Sequence, residues 1–146
     1  MLTYRVDANR IDAHGSLALT KQAKITLDTD PAGREDAFNP TEMLLASLAA
    51  CMLKSIERTA PILDFQLSAV DVIVTAERQD SPPILTRIVY DIAIETAETD
   101  HRIDLLHTNV RKYGTISNTL GAATNLLGTM HRRSISPSGL EPWSAP

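Results

Sequence analysis

Cysteine is almost absent from this chain of 146 residues: Cys51 is the only one. A single thiol excludes an intrachain disulfide and suits a reducing compartment, where thiols stay free. An excess of cations is missing as well. The formal net charge of -4 argues against nucleic acid as a partner, and no basic patch interleaved with aromatics is visible. There is no Gly-rich phosphate loop. Long apolar runs are also lacking. The longest, around Met43 to Leu53, is too short to span a bilayer, so no membrane partner is expected. The N-terminal residues Met1-Leu2-Thr3-Tyr4-Arg5-Val6-Asp7 lack the apolar core of a signal peptide, and a cytoplasmic protein is the simplest reading. His14, His101, His107 and His131 are scattered without metal-ligand spacing, so neither a metal nor another cofactor is expected.

What remains is an ordinary globular balance, 43% hydrophobic and 22% charged residues, in a chain long enough for one domain with a core. Leu2–Val6 and Ser16–Leu19 read as short strands, and Ala23–Asp28 alternates like a half-buried one. A helix is predicted from Pro40 to about Thr59, stopped by Pro61. Leu67–Glu77 and Leu85–Glu95 are the longest strand candidates, with a loop at Asp80-Ser81-Pro82-Pro83. A short helix at Arg102–His107, a second long helix at Thr115–Leu127 and a closing strand at Thr129–Ile135 follow. This order makes an α+β domain over residues 1–135. Residues 136–146, rich in Pro, Gly and Ser, read as a loose C-terminal tail.

The most informative stretch is Asn39-Pro40-Thr41-Glu42-Met43-Leu44-Leu45-Ala46-Ser47-Leu48-Ala49-Ala50-Cys51. Proline costs nothing in the first turn of a helix, and Glu42 sits at the positive end of the helix dipole. The run from Met43 to Leu53 is apolar on most of its circumference, the mark of a helix buried all round. One thin sheet covers only one side, so a second subunit is expected on the other. The small residues suggest close approach of another backbone, with Cys51 in or beside a packed interface.

This stretch resembles the OsmC/Ohr family of osmotically inducible and organic-hydroperoxide-resistance proteins. The similarity continues through Val72-Ile73-Val74-Thr75-Ala76-Glu77-Arg78, Thr86-Arg87-Ile88 and Arg111-Lys112-Tyr113-Gly114-Thr115-Ile116-Ser117-Asn118-Thr119-Leu120, covering roughly residues 2–135. It implies antiparallel sheets packed around two central helices in an intertwined homodimer. It also implies a reactive Cys51, an arginine near the thiol and an acid at the helix start that holds the arginine. Arg10 is the candidate for that cation and Arg34 the rival; Glu42 is the candidate acid. Where family members carry a second, resolving cysteine after a Lys-Tyr pair, this chain has Gly114.

Two functions from different classes follow. The first is a single-cysteine, thiol-dependent peroxidase: Cys51 would reduce a small organic hydroperoxide, and an external thiol would reduce the sulfenic acid. The second is a redox-inactive dimer that binds a small apolar ligand or a protein partner. A lone cysteine on an apolar helix is often merely structural. At about 100° per residue, the step from Glu42 to Cys51 ends near the opposite helix face, which disfavours a direct contact between them. Ser47 and Ser55 lie a turn either side of Cys51 without a nucleophile motif, and Ser117 and Asn118 read as cap or first-turn residues.

Overall fold

The computed structural model describes residues 1–133. These fall into two compact units, one of Met1–Ala46 and one starting at Ser47. Among the described residues the architecture is α+β, with two three-stranded sheets and three helices.

The first unit carries an antiparallel sheet of β1 (Asp7–Asp12), β2 (Gly15–Thr20) and β3 (Ala23–Leu27), with β2 in the centre. The first strand is therefore not the apolar Leu2–Val6. Leu2, Tyr4 and Val6 are exposed and precede it. Asp7-Ala8-Asn9-Arg10 instead pairs with Leu19-Ala18-Leu17-Ser16. An edge strand whose side chains all face solvent leaves no hydrophobic alternation to read. After β3 the chain loops around Asp28, a buried carboxylate that accepts the Asp30 and Arg34 backbone N–H groups, each at 3.1 Å. Gly33 turns this loop with φ at 81°, a conformation that favours glycine. The Asp28 N–H then donates to the Phe38 carbonyl at 2.9 Å, which brings the chain to the next helix.

Helix α1 spans Pro40–Ile62. Its first turn is closed reciprocally. The Glu42 N–H donates to Asn39 Oδ1 at 2.9 Å, and the Asn39 N–H donates to Glu42 Oε1 at 3.1 Å. The helix runs past the predicted stop at Thr59 and includes Pro61. In the last turn, one missing N–H removes a single hydrogen bond and the rest of the helix is intact. Termination comes at Asp64, with φ at 49°. Its N–H donates to Pro61, while Phe65 N–H reaches back to the Ala60 carbonyl at 2.8 Å.

The second unit holds the sheet β4 (Ala69–Asp80), β5 (Pro83–Glu95) and β6 (Asn125–Arg132). β4 and β5 form the expected hairpin, longer at its tip than predicted because Asp80 pairs with Pro83 across Ser81-Pro82. The sheet is not wholly antiparallel, as the resemblance implied. β6 pairs parallel with β5, from Arg87 with Asn125 to Ile94 with Arg132. Such a pairing needs a long crossover, and helices α2 (Asp100–Tyr113) and α3 (Thr115–Gly121) supply it. The helix predicted at Arg102–His107 is thus the middle of a 14-residue helix, capped by the Thr99 side chain. The long helix predicted at Thr115–Leu127 has only seven residues. It stops because Leu126 and Met130 are claimed by the sheet, where they pair with Ile88 and Ile92 and are buried. The end of the closing strand predicted to Ile135 and the tail at 136–146 lie outside the described residues.

The core of this unit comes from every second residue of β5 (Ile88, Tyr90, Ile92, Ile94). Helical repeats on α1 (Leu48, Met52, Ile56, Ala60) and α2 (Ile103, Leu106, Val110) complete it. Gly128 lies beside Tyr90 in the parallel register, and a β-carbon there would come within 2.4 Å of the ring. Glycine lets β6 approach the ring closely. The buried tyrosine in turn holds His107 of α2, with 2.6 Å between the hydroxyl and Nε2.

Candidate functional site

Cys51 is half-buried in the middle of α1, next to the fully buried Met52 and one turn from Leu48. The backbone that approaches its thiol is Gly114, the buried residue between α2 and α3. A β-carbon built on Gly114 would stand 3.3 Å from Cys51 Sγ, 3.2 Å from the Val110 carbonyl oxygen and 2.9 Å from Ser117 Oγ. A β-carbon would be crowded at these distances, so glycine lets this backbone pack closely against the thiol and the hydroxyl. Gly114 itself has φ at -77° and ψ at 117°, extended backbone open to any residue. A positive φ does not explain it.

Ser117 sits in α3 with no exposed surface, and its Oγ finds no hydrogen-bond partner among the described residues. Sequence reading placed it as a first-turn residue. Its approach to the thiol's surroundings depends on how α2 and α3 pack around Gly114, which the local sequence does not show. Its neighbour Asn118 does act locally: the side-chain amide donates to the Lys112 carbonyl at 3.1 Å, tying α3 to the end of α2.

On the outer side of this junction lies a cleft of about 760 Å³ lined by His107, Arg111, Lys112, Ser117 and Asn118. Burial and the nearby Arg111 guanidinium hold His107 below the ordinary histidine value of 6.5. Both favour the neutral imidazole, which shares a hydrogen bond with the Tyr90 hydroxyl. Desolvation pushes the Tyr90 phenol up.

The remaining sequence candidates belong to the first unit. Arg10 is exposed on β1, opposite Ser16 in the register. Arg34 is engaged by a carboxylate: Nε and Nη2 donate to the two oxygens of Asp36 at 2.6 and 2.8 Å. Its Nη1 packs against Gly15, where a β-carbon would come within 2.4 Å. Glu42 closes the helix cap with Asn39, a role that the Asn-x-x-Glu spacing signals on its own. The four histidines are not gathered. His14 pairs with Asp30 and His131 with Asp91, and no group of three His, Cys, Asp or Glu side chains among the described residues is arranged for a metal ion. No helix among them is long and apolar enough to cross a membrane.

A sequence profile described as OsmC-like protein matches residues 33–126, well over half the chain. That span includes α1 with Cys51 and the Gly114 junction. No curated protein matches the sequence. Among solved structures, an OsmC-like protein from Mycoplasma pneumoniae superposes with a TM-score of 0.83 at 24% identity, covering 90% of this chain and 97% of that one. An OsmC-like protein of unknown function from Vibrio cholerae gives a TM-score of 0.76 at 12% identity over 90% of this chain and 100% of that one. An organic hydroperoxide resistance protein from Legionella pneumophila gives 0.67 at 15% identity over 89% of this chain and 97% of that one. At these identities the superpositions carry the fold.

Proposed function

Since the chain belongs to the OsmC-like protein family, we propose that it is a single-cysteine, thiol-dependent peroxidase that reduces small organic hydroperoxides. The observation that carries this reading is the setting of Cys51: a half-buried thiol in the middle of α1, with glycine where a side chain would crowd it. Similar folds include proteins named for organic hydroperoxide resistance. The thiolate attacks the peroxide, the product is a sulfenic acid, and an external thiol returns it to the resting state. Gly114 holds the position that a resolving thiol would occupy, so resolution passes to the external thiol. Arg10 is proposed as the activating cation on the family resemblance. Arg34 is less suited, because Asp36 already binds its guanidinium. The test is peroxide consumption by purified protein with a dithiol reductant, compared with Cys51→Ser and Arg10→Ala variants. Consumption that is unchanged by Cys51→Ser rejects the proposal.

A homodimer is part of this reading. Leu44 and Leu53 of α1 are more than a third exposed in the single chain, apolar surface that a second copy would cover.

One observation favours the second reading, a redox-inactive binding protein. Within the first unit, Ala18, Leu19, Ile25, Leu27, Pro40 and Met43 line a mainly apolar hollow of about 380 Å³. That is of the size that takes a small apolar ligand. Ligand binding that survives Cys51→Ser, without peroxide turnover, would identify this function.

A further inference from the structure

We infer that the sulfenic oxygen of oxidised Cys51 lies over Gly114, and that the Ser117 hydroxyl donates a hydrogen bond to that oxygen. The inference rests on the peroxidase reading and names the residue that protects its intermediate.

Three observations meet at one point. Ser117 is wholly buried, yet its Oγ has no hydrogen-bond partner among the described residues. Leaving a buried hydroxyl unpaired is costly, and an alanine would avoid that cost. The hydroxyl stands 2.9 Å from the place where a β-carbon on Gly114 would lie, and Cys51 Sγ stands 3.3 Å from the same place. A hydrogen-bond donor and the thiol thus both approach the β-carbon side of Gly114. That glycine has ordinary extended dihedrals, so backbone conformation does not require glycine there. Close packing beside the thiol does.

The chemistry supplies the missing acceptor. The Cys51 sulfur attacks the outer oxygen of a hydroperoxide. An S–O bond forms and the O–O bond breaks. The alcohol leaves with the proton that the thiol gave up. Sulfur is oxidised, and the peroxide is reduced. The new oxygen needs room next to sulfur and a donor to hold it. A hydrogen bond to that oxygen draws electron density from the S–O group and makes attack on a second peroxide slower. In a chain with no second cysteine, the sulfenic acid must survive until an external thiol arrives.

Two variants test this, Ser117→Ala and Gly114→Ala, with sulfenic acid trapped by dimedone and oxidation states read by mass spectrometry. Ser117→Ala lacks the proposed donor. It should pass from sulfenic to sulfinic acid roughly tenfold faster, the scale of one lost hydrogen bond. Its melting temperature should not fall, because no native hydrogen bond is lost, and this separates the role from a structural one. Gly114→Ala crowds the thiol and the Ser117 hydroxyl and should slow the first oxidation. Equal sulfenic lifetimes in wild type and Ser117→Ala would overturn the inference while leaving the peroxidase reading intact. First oxidation of a folded Gly114→Ala protein at the wild-type rate would overturn the placement of that oxygen over Gly114. A wild-type protein that yields no trappable sulfenic acid and no sulfinic acid would overturn the inference and the peroxidase reading together.

Discussion

Cys51 and Gly114 are separated by 63 residues in sequence, yet the sulfur of one lies 3.3 Å from where the β-carbon of the other would be. In a disulfide each sulfur stands about 3 Å from the partner's β-carbon, given an S–S bond of about 2.03 Å, so this approach is close to bridging geometry. Gly114→Cys is therefore expected to form an intrachain disulfide with Cys51 when treated with diamide. Non-reducing mass mapping checks this. The extended dihedrals at residue 114 impose no backbone strain on the substitution. Its cost comes from crowding against Ser117 Oγ and the Val110 carbonyl. A folded variant that forms no bridge would mean that the junction lies farther from the thiol than described.

Glu42 offers a separation of roles. Its carboxylate accepts the Asn39 N–H and completes the cap of α1. Glu42→Gln keeps an oxygen for that bond and should leave the denaturation midpoint near wild type. Asn39→Ala removes the side chain that receives the Glu42 N–H and should cost about 1 kcal/mol by urea denaturation. If Glu42 also supports the thiol chemistry, as the family resemblance implies, Glu42→Gln will lower the peroxide rate at unchanged stability. Parallel losses of stability and rate in Glu42→Gln would reduce its part to capping.

The part-buried pair Tyr90–His107 predicts an acid-sensitive contribution to stability. His107 is held below 6.5 by burial and by Arg111, with Asp104 opposing. The unfolded chain therefore binds this proton more readily than the folded one. Stability falls as pH drops below about 6.5 toward the folded value. His14 and His131, raised by Asp30 and Asp91, contribute with the opposite sign: they stabilise below their unfolded value and lose that contribution as pH rises. The comparison must therefore be made against His107→Gln, which does not titrate. Melting temperatures from about pH 7.5 to 5.5 should drop more in wild type than in the variant. Parallel curves would contradict the assignment.

Much of this architecture is readable in the chain, for reasons tied to particular residues. Pro40 and the apolar run behind it announce α1. The β-branched stretch at Val72–Thr75 and the turn at Ser81-Pro82 announce the β4–β5 hairpin. Elements that do not bury a regular face are hidden. β1 buries no side chain and is recognised by its backbone pairing. α2 buries only Ile103, Leu106 and Val110 among polar neighbours, so its full length is masked. Leu126 and Leu127 follow a helical segment and look like its continuation. A parallel partner strand 38 residues earlier takes them instead, and local sequence does not reveal such a pairing. At the site, Cys51 is singled out by its scarcity and its helix. The unpaired Ser117 hydroxyl beside it is not, because its placement depends on how two helices meet.

The central claim is that Cys51 is a peroxide-reactive thiol resolved from outside the chain. The most direct test is stopped-flow mixing of the reduced protein with cumene hydroperoxide, with free thiol counted against time. Loss of the single thiol at least a hundredfold faster than free cysteine, abolished in Cys51→Ser and reversed by an added dithiol, is the predicted result. A rate no faster than that of free cysteine would contradict the account.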